Sequence, residues 1–222
     1  MAMAGKLIVI DGLDGAGKST QIDRVCDILS KEYRVMKISF PDYQNDSSAL
    51  VRMYLAGEFG SRPGDVNAYA ASSFYAVDRY ASYKQYWEKA YAEGAVILAA
   101  RYTTSNAIHQ MSKLPEEEWE SYLSWLSHYE YDQLGLPRPD QVIFLQMTEE
   151  ASERLLQKRY SGDESKKDLH EKDSQYLSSC RLSAEYAAKK DGWKLISCCE
   201  GEKILPVEQI TEEIIKSIRT VL

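Results

Sequence analysis

The sequence predicts a three-layer α/β fold, a parallel sheet covered by helices on both faces, and three observations predict it. Short runs rich in Val, Ile and Leu alternate with longer segments of helical apolar spacing along the whole chain, which is the pattern of strand–helix–strand units. The first apolar run passes through a glycine-rich loop directly into a helical pattern. The 222 residues fit one α/β domain, residues 1–222, large enough to bury a substantial core without disulfide staples.

The elements follow in order. Lys6–Asp11 is a β-branched apolar strand, and Ile22, Val25, Cys26 and Leu29 fall at helical spacing, predicting a helix over Lys18–Glu32. Arg34–Phe40 reads as the second strand, Ser47–Ala56 and Val66–Ala92 as helices, and Ala95–Ala99 as the third strand. After a helix over Glu116–Leu134, the prolines of Leu136-Pro-Arg-Pro139 stop helical structure and aim the chain into a fourth strand, Gln141–Gln146. Helices over Thr148–Arg159 and Glu171–Lys190, a fifth strand at Trp193–Cys198 and a helix over Val207–Val221 complete the pattern. Ser161–His170 is polar, charged and punctuated by Gly162, so it cannot bury much apolar area. It reads either as a solvated loop or as a lid, near residues 158–172, that carries cations over a phosphate site.

Composition narrows the partners. With 27 basic and 34 acidic residues the chain carries a formal charge of −7, which argues against a nucleic-acid surface. No apolar stretch reaches the roughly 18 residues of a membrane span, so no membrane partner is expected. Cys26, Cys180, Cys198 and Cys199 lack C-x-x-C spacing and read as thiols in a reducing compartment, with the cytoplasm as the expected location.

Gly12-Leu-Asp-Gly-Ala-Gly-Lys-Ser19 matches G-x-x-x-x-G-K-[ST], placed between a strand and a helix where the pattern has a mechanism. Its glycines let successive backbone N–H groups face one concavity, and the following helix start adds partial positive charge. Gly12, Leu13, Asp14, Gly15, Ala16, Gly17, Lys18, Ser19 and Thr20 are therefore the candidate ATP-binding residues. Lys18 would reach the β and γ phosphates and the Ser19 hydroxyl would hold Mg²⁺. The competing reading is a glycine-rich turn before a helix that binds nothing.

A kinase of small acceptors also needs cations opposite the γ-phosphate. Arg101 directly follows the carboxyl end of the third strand, where ligands bind in open α/β sheets. Arg79 lies in Phe74-Tyr-Ala-Val-Asp-Arg79 on a predicted helix, and reads either as a ligand-binding cation or as a surface partner of Asp78 or Asp65. Phe74 reads as a core aromatic or as a stacking platform for a base.

Together these segments resemble the thymidylate kinase family, nearly end to end. The resemblance runs from Ile10–Thr20 through Phe40-Pro41, Phe74–Arg79 and Arg101-Tyr102 to Asn106, then Pro139–Leu145 and the charged segment. It implies a P-loop NTPase fold with five parallel strands in the order 2-3-1-4-5, a helical lid, a homodimer, and transfer of the ATP γ-phosphoryl group to dTMP with Mg²⁺. By the same resemblance Asp14 would lie near the deoxyribose 3′-hydroxyl, Phe74 would stack on thymine, and Arg79 and Arg101 would hold the monophosphate. Ser105 and Asn106 would face the base edge. Arg159, Lys166 and Lys167 would cover the transferring group, since Gly15 occupies a position where some members carry arginine.

Departures from the family pattern are also visible. Ala100 stands where members usually carry an Mg²⁺-shell aspartate, leaving Ser19 and Asp11 as candidate metal residues. Asp42 stands where many place an arginine toward the acceptor phosphate, and His109 replaces a common aromatic. His170 reads as a surface residue at a helix start. Two other readings remain: a kinase of another nucleoside monophosphate or of a deoxynucleoside, and a nucleotide-binding protein that has lost transfer.

Overall fold

A computed structural model describes residues 5–160, 169–171 and 173–222. Five strands, β1 (Lys6–Gly12), β2 (Val35–Ser39), β3 (Val96–Ala100), β4 (Gln141–Gln146) and β5 (Lys194–Ser197), form one sheet in the order β2-β3-β1-β4-β5. Every pairing in it is parallel, with Ile8 opposite Leu98 on one side of β1 and opposite Gln141 on the other. The central strands are solidly apolar because both their faces are covered: all of β3 is buried, as is β1 after Lys6. The edge strands β2 and β5 alternate in exposure, with Lys37 and Leu195 open to solvent.

Strand periodicity sends Ile8, Ile10 and Leu98 to one face and Leu7, Val9 and Ile97 to the other. The first set packs under α1 (Lys18–Leu29) and α9 (Val207–Ile218), through Ile22, Val25 and Leu29 and through Ile210, Ile214 and Ile218 at spacings of one helical turn. The two faces of β1 carry different apolar sets fitted to different helices, so a one-residue slip would exchange them and misfit both layers, and the register is strongly specified. The opposite face is covered by α3 (Ala68–Ser82), α5 (Thr104–His109), α6 (Trp119–Ser127) and α8 (Ser174–Asp191). The remaining helices are α2 (Ala49–Leu55), α4 (Glu88–Ala92) and α7 (Glu149–Tyr160), and Cys199–Glu200 (β6) pairs with Lys203–Ile204 (β7) as a small antiparallel hairpin.

Several expected helices differ in detail. The run Val66–Ala92 starts at Ala68, N-capped by Asn67 accepting from Ala70 N at 2.9 Å, and is interrupted by a π-helical turn at Tyr83–Trp87. That widened turn seats Trp87 fully inside, edge-on to Tyr83 at 4.6 Å and to Tyr102 at 6.4 Å. Glu116–Leu134 likewise becomes a 3-10 turn, α6 and a second π-helical turn, His128–Gln133. The helix expected from Glu171 begins at Ser174, where Asp173 caps it by accepting from Tyr176 N at 2.9 Å. α5 and the β6–β7 hairpin were not foreseen. Most of the expected lid, Lys166 and Lys167 included, lies outside the described residues, as does the side chain of Arg159.

The connections leaving β1 and β3 run in opposite directions across the sheet, toward β2 and β4 respectively. A crevice therefore opens at their carboxyl ends, beside Gly12 and Arg101.

Candidate active site

A cleft of about 870 Å³ occupies that crevice, within the size range of small-molecule sites. One end is lined by Asp14–Gln21 and by the apolar side chains of Met147, Leu155, Leu205, Val207 and Ile210; the other by Tyr43, Tyr75, Arg79, Arg101, Ser105 and His109.

At the first end the backbone does most of the shaping. Gly15 and Gly17 adopt φ of 81° and 77°, a left-handed conformation that glycine reaches without steric cost. A Cβ at Gly15 would come within 2.6 Å of Ser152 O, so α7 leaves no room for a side chain there. α1 opens at Gly17 with no side-chain cap and no acidic residue in its first turn, so its N–H groups and positive dipole end face the cleft beside the exposed Ser19 and Thr20. Lys18 Nζ folds back along the loop, donating to Gly12 O at 2.7 Å and Leu13 O at 2.8 Å, with Asp14 Oδ1 at 3.8 Å.

Arg101 is the pivot of the other end. It holds φ of 65°, costly for a residue with a Cβ, directly after β3. Its Nη2 donates to Asp14 Oδ1, its Nη1 lies 3.1 Å from His109 Nε2, and Asp11 is 3.8 Å away. Burial opposes the charged form of Asp14, yet Arg101 and Lys18 outweigh it and hold the carboxyl below its usual range. Burial likewise opposes the charge of Arg101, and Asp14 and Asp11 overcome it.

Asp11, a metal candidate by sequence, is fully buried and occupied on both oxygens: Oδ1 accepts from Gly12 N at 2.8 Å, and Oδ2 from Thr104 Oγ1 and Ser105 Oγ at 2.7 Å each. It fastens the start of α5 to β1 and is absent from the cleft lining. Ser105 and Asn106 both sit on α5. Asn106 is buried, with Nδ2 donating to Glu130 Oε1 at 3.0 Å and to Ser72 O at 3.3 Å, while Ser105 spends its hydroxyl hydrogen on Asp11.

Arg79 is 1% exposed and sits in a two-pronged pair with the fully buried Glu130, Nε to Oε2 at 2.7 Å and Nη2 to Oε1 at 2.5 Å, while Nη1 donates to Tyr102 O at 3.3 Å. The surface pairing with Asp78 or Asp65 is thereby corrected. Asp78 instead anchors the loop after β2, accepting from Asp42 N at 2.8 Å and Ser47 Oγ at 2.6 Å. Asp42 turns its carboxylate to Asn45 Nδ2, 2.7 Å away, and it is the next residue, Tyr43, that lines the cleft.

Phe74 packs against Phe59 and Tyr54, ring centroids 5.6 and 6.4 Å apart, and the cleft is lined by Tyr75 instead. Helical geometry explains the shift: Tyr75 and Arg79 are four residues apart and share a face, whereas Phe74 is five from Arg79 and points about 100° away from Tyr75. Sequence reading also missed Glu130, which nothing local distinguishes within its helical segment. His170, expected at the surface, is 5% exposed, lies 2.9 Å from Tyr54 Oη through Nε2 and stacks on His109 at 5.7 Å. Burial, and then the nearby Lys113, push its pKa down to about 3.

For a metal, Ser19 supplies an exposed hydroxyl at the phosphate end, and among the described residues no cluster of three His, Cys, Asp or Glu side chains surrounds any point. That donor set fits a divalent ion that arrives on phosphate oxygens and keeps most of its water, rather than one caged by carboxylates.

Comparison with known proteins identifies the family. The family model described as Thymidylate kinase matches residues 10–212. The chain is 31% identical to the thymidylate kinase of Mycobacterium tuberculosis over 191 residues, covering 84% of this chain and 87% of that one. It is 28% identical to the human thymidylate kinase over 66% of this chain and 63% of the relative. A solved thymidylate kinase from Candida albicans shares the fold, with TM-score 0.69 at 22% identity over 98% of this chain and 92% of that one. With the P-loop at β1, the five strands in the expected order and a family match over most of its length, the chain belongs to the thymidylate kinase family, nucleoside monophosphate kinases that use ATP.

Proposed function

We propose that this chain transfers the γ-phosphoryl group of ATP to dTMP, giving dTDP, and that the two ends of its cleft divide the work. The observation that carries the reading is Arg101, held beside Asp14 at the carboxyl end of β3 and facing the same cleft as Lys18 and the head of α1. ATP lies with its phosphates in the Gly12–Ser19 loop and its base on the apolar floor of Met147, Leu205 and Val207. Lys18 exchanges its carbonyl partners for the β and γ oxygens and follows the charge as it moves. The Ser19 hydroxyl, with the nucleotide, would hold Mg²⁺, which when bound would supply charge neutralisation at the phosphates.

On the acceptor side, the ring of Tyr75 takes the base and Arg101 the monophosphate, with Asp14 orienting the guanidinium and reaching the sugar hydroxyl. Arg79, already neutralised by Glu130, has N–H groups to offer an uncharged base edge and little net charge to offer a phosphate. Ser105 and Asn106 act mainly by holding α5 and Glu130 in place. Arg159, Lys166 and Lys167 remain the sequence candidates for covering the transferring group. Because phosphoryl transfer asks mainly for positioning and electrostatic stabilisation, this division suffices without an internal nucleophile.

A homodimer is supported by the apolar outer face of α3, where Tyr69, Val77 and Tyr80 are 37%, 42% and 41% exposed. The four cysteines are free thiols, which suits a reducing compartment such as the cytoplasm, and no helix among the described residues is long and apolar enough to cross a membrane. The test is ADP release with ATP, Mg²⁺ and a panel of nucleoside monophosphates and nucleosides. Highest kcat/KM with dTMP is the expected result. A preference for another monophosphate or for a nucleoside overturns the acceptor, and no release above the acceptor-free rate with any of them overturns transfer.

A further inference from the structure

His109 touches Arg101 directly, and behind its ring runs a chain of hydrogen bonds whose direction can be read atom by atom. Ser112 Oγ donates to His109 O at 2.9 Å, so its single hydrogen is committed. The contact between Ser112 Oγ and Cys180 Sγ at 3.4 Å is then made by the thiol hydrogen, leaving the sulfur to accept. His109 Nδ1 lies 3.6 Å from that sulfur and carries the ring hydrogen toward it. Its Nε2 is consequently a bare acceptor, 3.1 Å from Nη1 of Arg101, a side chain that only donates. Tyr176 Oη fixes the same residue from behind, donating to His109 O at 2.6 Å, and the His170 ring stacks on it at 5.7 Å.

The protonation states agree with the geometry. Burial, and then Arg101, keep the imidazole neutral by pushing its pKa well below the usual histidine range, and burial pushes the Cys180 thiol up to about 12.

We propose that His109 is a positioning residue for phosphoryl-acceptor binding: its Nε2 holds one nitrogen of Arg101 while Asp14 holds another, and together they aim the guanidinium at the acceptor phosphate. The inference rests on the reading that Arg101 grips that phosphate. An anionic partner alone would satisfy the charge of Arg101 in any of several orientations; a second acceptor at a fixed angle leaves one. Cys180 and Ser112 serve by fixing the imidazole tautomer.

The test compares His109→Leu, which removes the acceptor, with His109→Gln, whose Oε1 reaches the place of Nε2, and combines each with Arg101→Met. In the otherwise unchanged protein, His109→Leu is expected to raise the dTMP KM on the order of tenfold, the scale of a hydrogen bond to a charged group, with the ATP KM unmoved. His109→Gln recovers most of that loss. In the Arg101→Met background neither change has any further effect on the dTMP KM. Leu and Gln variants of equal dTMP KM, or losses that add fully to that of Arg101→Met, overturn the positioning role while leaving Arg101 in place. An unaltered dTMP KM in Arg101→Met alone would instead sink the phosphate reading on which the inference rests. The ATP KM and the melting temperature identify any variant that has lost its fold, and Cys180→Ala, which removes the sulfur acceptor of His109 Nδ1 together with the thiol's bond to Ser112, then provides a second probe with a smaller loss expected in the same parameter.

Discussion

At the phosphate end of the cleft, eight consecutive residues, Gly12 to Ser19, bring backbone N–H groups, one lysine and one hydroxyl to a helix start. At the acceptor end the lining is gathered from the loop after β2, from α3, from the end of β3 and from α5, and Glu130 supports it from a turn more than fifty residues beyond Arg79 in sequence. The first is a motif whose chemistry lies mainly in the main chain. The second is a set of side chains, of which Arg79, Arg101, Ser105 and His109 are held by partners far away in sequence. The difference teaches that substitutions at the phosphate end should act on chemistry and leave the fold alone, whereas at the acceptor end binding and stability are coupled.

The largest effect on rate is expected for Lys18→Ala. Removing the one cation of the loop should lower kcat on the order of 10²–10³-fold, the scale seen when a preorganised charge stabiliser is lost, with the melting temperature nearly constant. Retention of most of kcat in a folded variant would break the phosphate side of the comparison.

Glu130→Gln probes the opposite end. It leaves Arg79 buried with its charge uncompensated, at a cost of about 3–5 kcal/mol, so melting should fall by roughly 10 °C. Combining Glu130→Leu with Arg79→Met should return much of the stability while acceptor binding stays weak. A single substitution that leaves melting unchanged would show that the pair is not structural.

Acidity sharpens the same contrast, because the acceptor end buries His170 and His109 in neutral form. His170 has a folded pKa of about 3, below the unfolded value near 6.5, so between those pH values the unfolded chain binds a proton that the folded one refuses. The stabilisation is complete above the unfolded value and declines as pH falls, by about 1.4 kcal/mol per pH unit for each such histidine. Melting temperature should therefore drop between pH 7 and pH 5, and His170→Gln should flatten the slope by one proton; an unchanged slope would contradict neutral burial.

The smallest effect separates two neighbours. Tyr75→Ala should weaken dTMP binding by about 1–3 kcal/mol, the range for a base stacked on an aromatic platform, and leave ATP binding unchanged. Phe74→Ala should instead lower melting, since its ring packs on Phe59 and Tyr54. Reversed outcomes would restore Phe74 as the platform.

How far sequence carries one toward this molecule follows the same line. The five strands and the loop were legible because apolar period and glycine spacing are local properties, and the strand order followed from the family resemblance rather than from periodicity. The π-helical turns at Tyr83–Trp87 and His128–Gln133 were not legible, because their apolar spacing is still nearly helical and what widens them is tertiary seating. Phe74 and Tyr75 are one position apart on a helix, and the four-residue spacing to Arg79 places Tyr75, not Phe74, on the side that lines the cleft. Glu130, by contrast, had no local signal at all: its role exists only through a partner fifty-one positions away. Asp11, a metal candidate by sequence, accepts from Gly12 N and from the hydroxyls of Thr104 and Ser105, contacts that exist only in the folded chain.

The most direct test of the division is a calorimetric titration of dTMP and of thymidine, each onto the unaltered protein and onto Arg101→Met. If Arg101 serves the acceptor phosphate and Tyr75 with Arg79 serves the base, dTMP should lose on the order of tenfold or more in affinity in the variant while thymidine binds both proteins alike. Equal losses for the two ligands, or no loss for dTMP, would contradict the account.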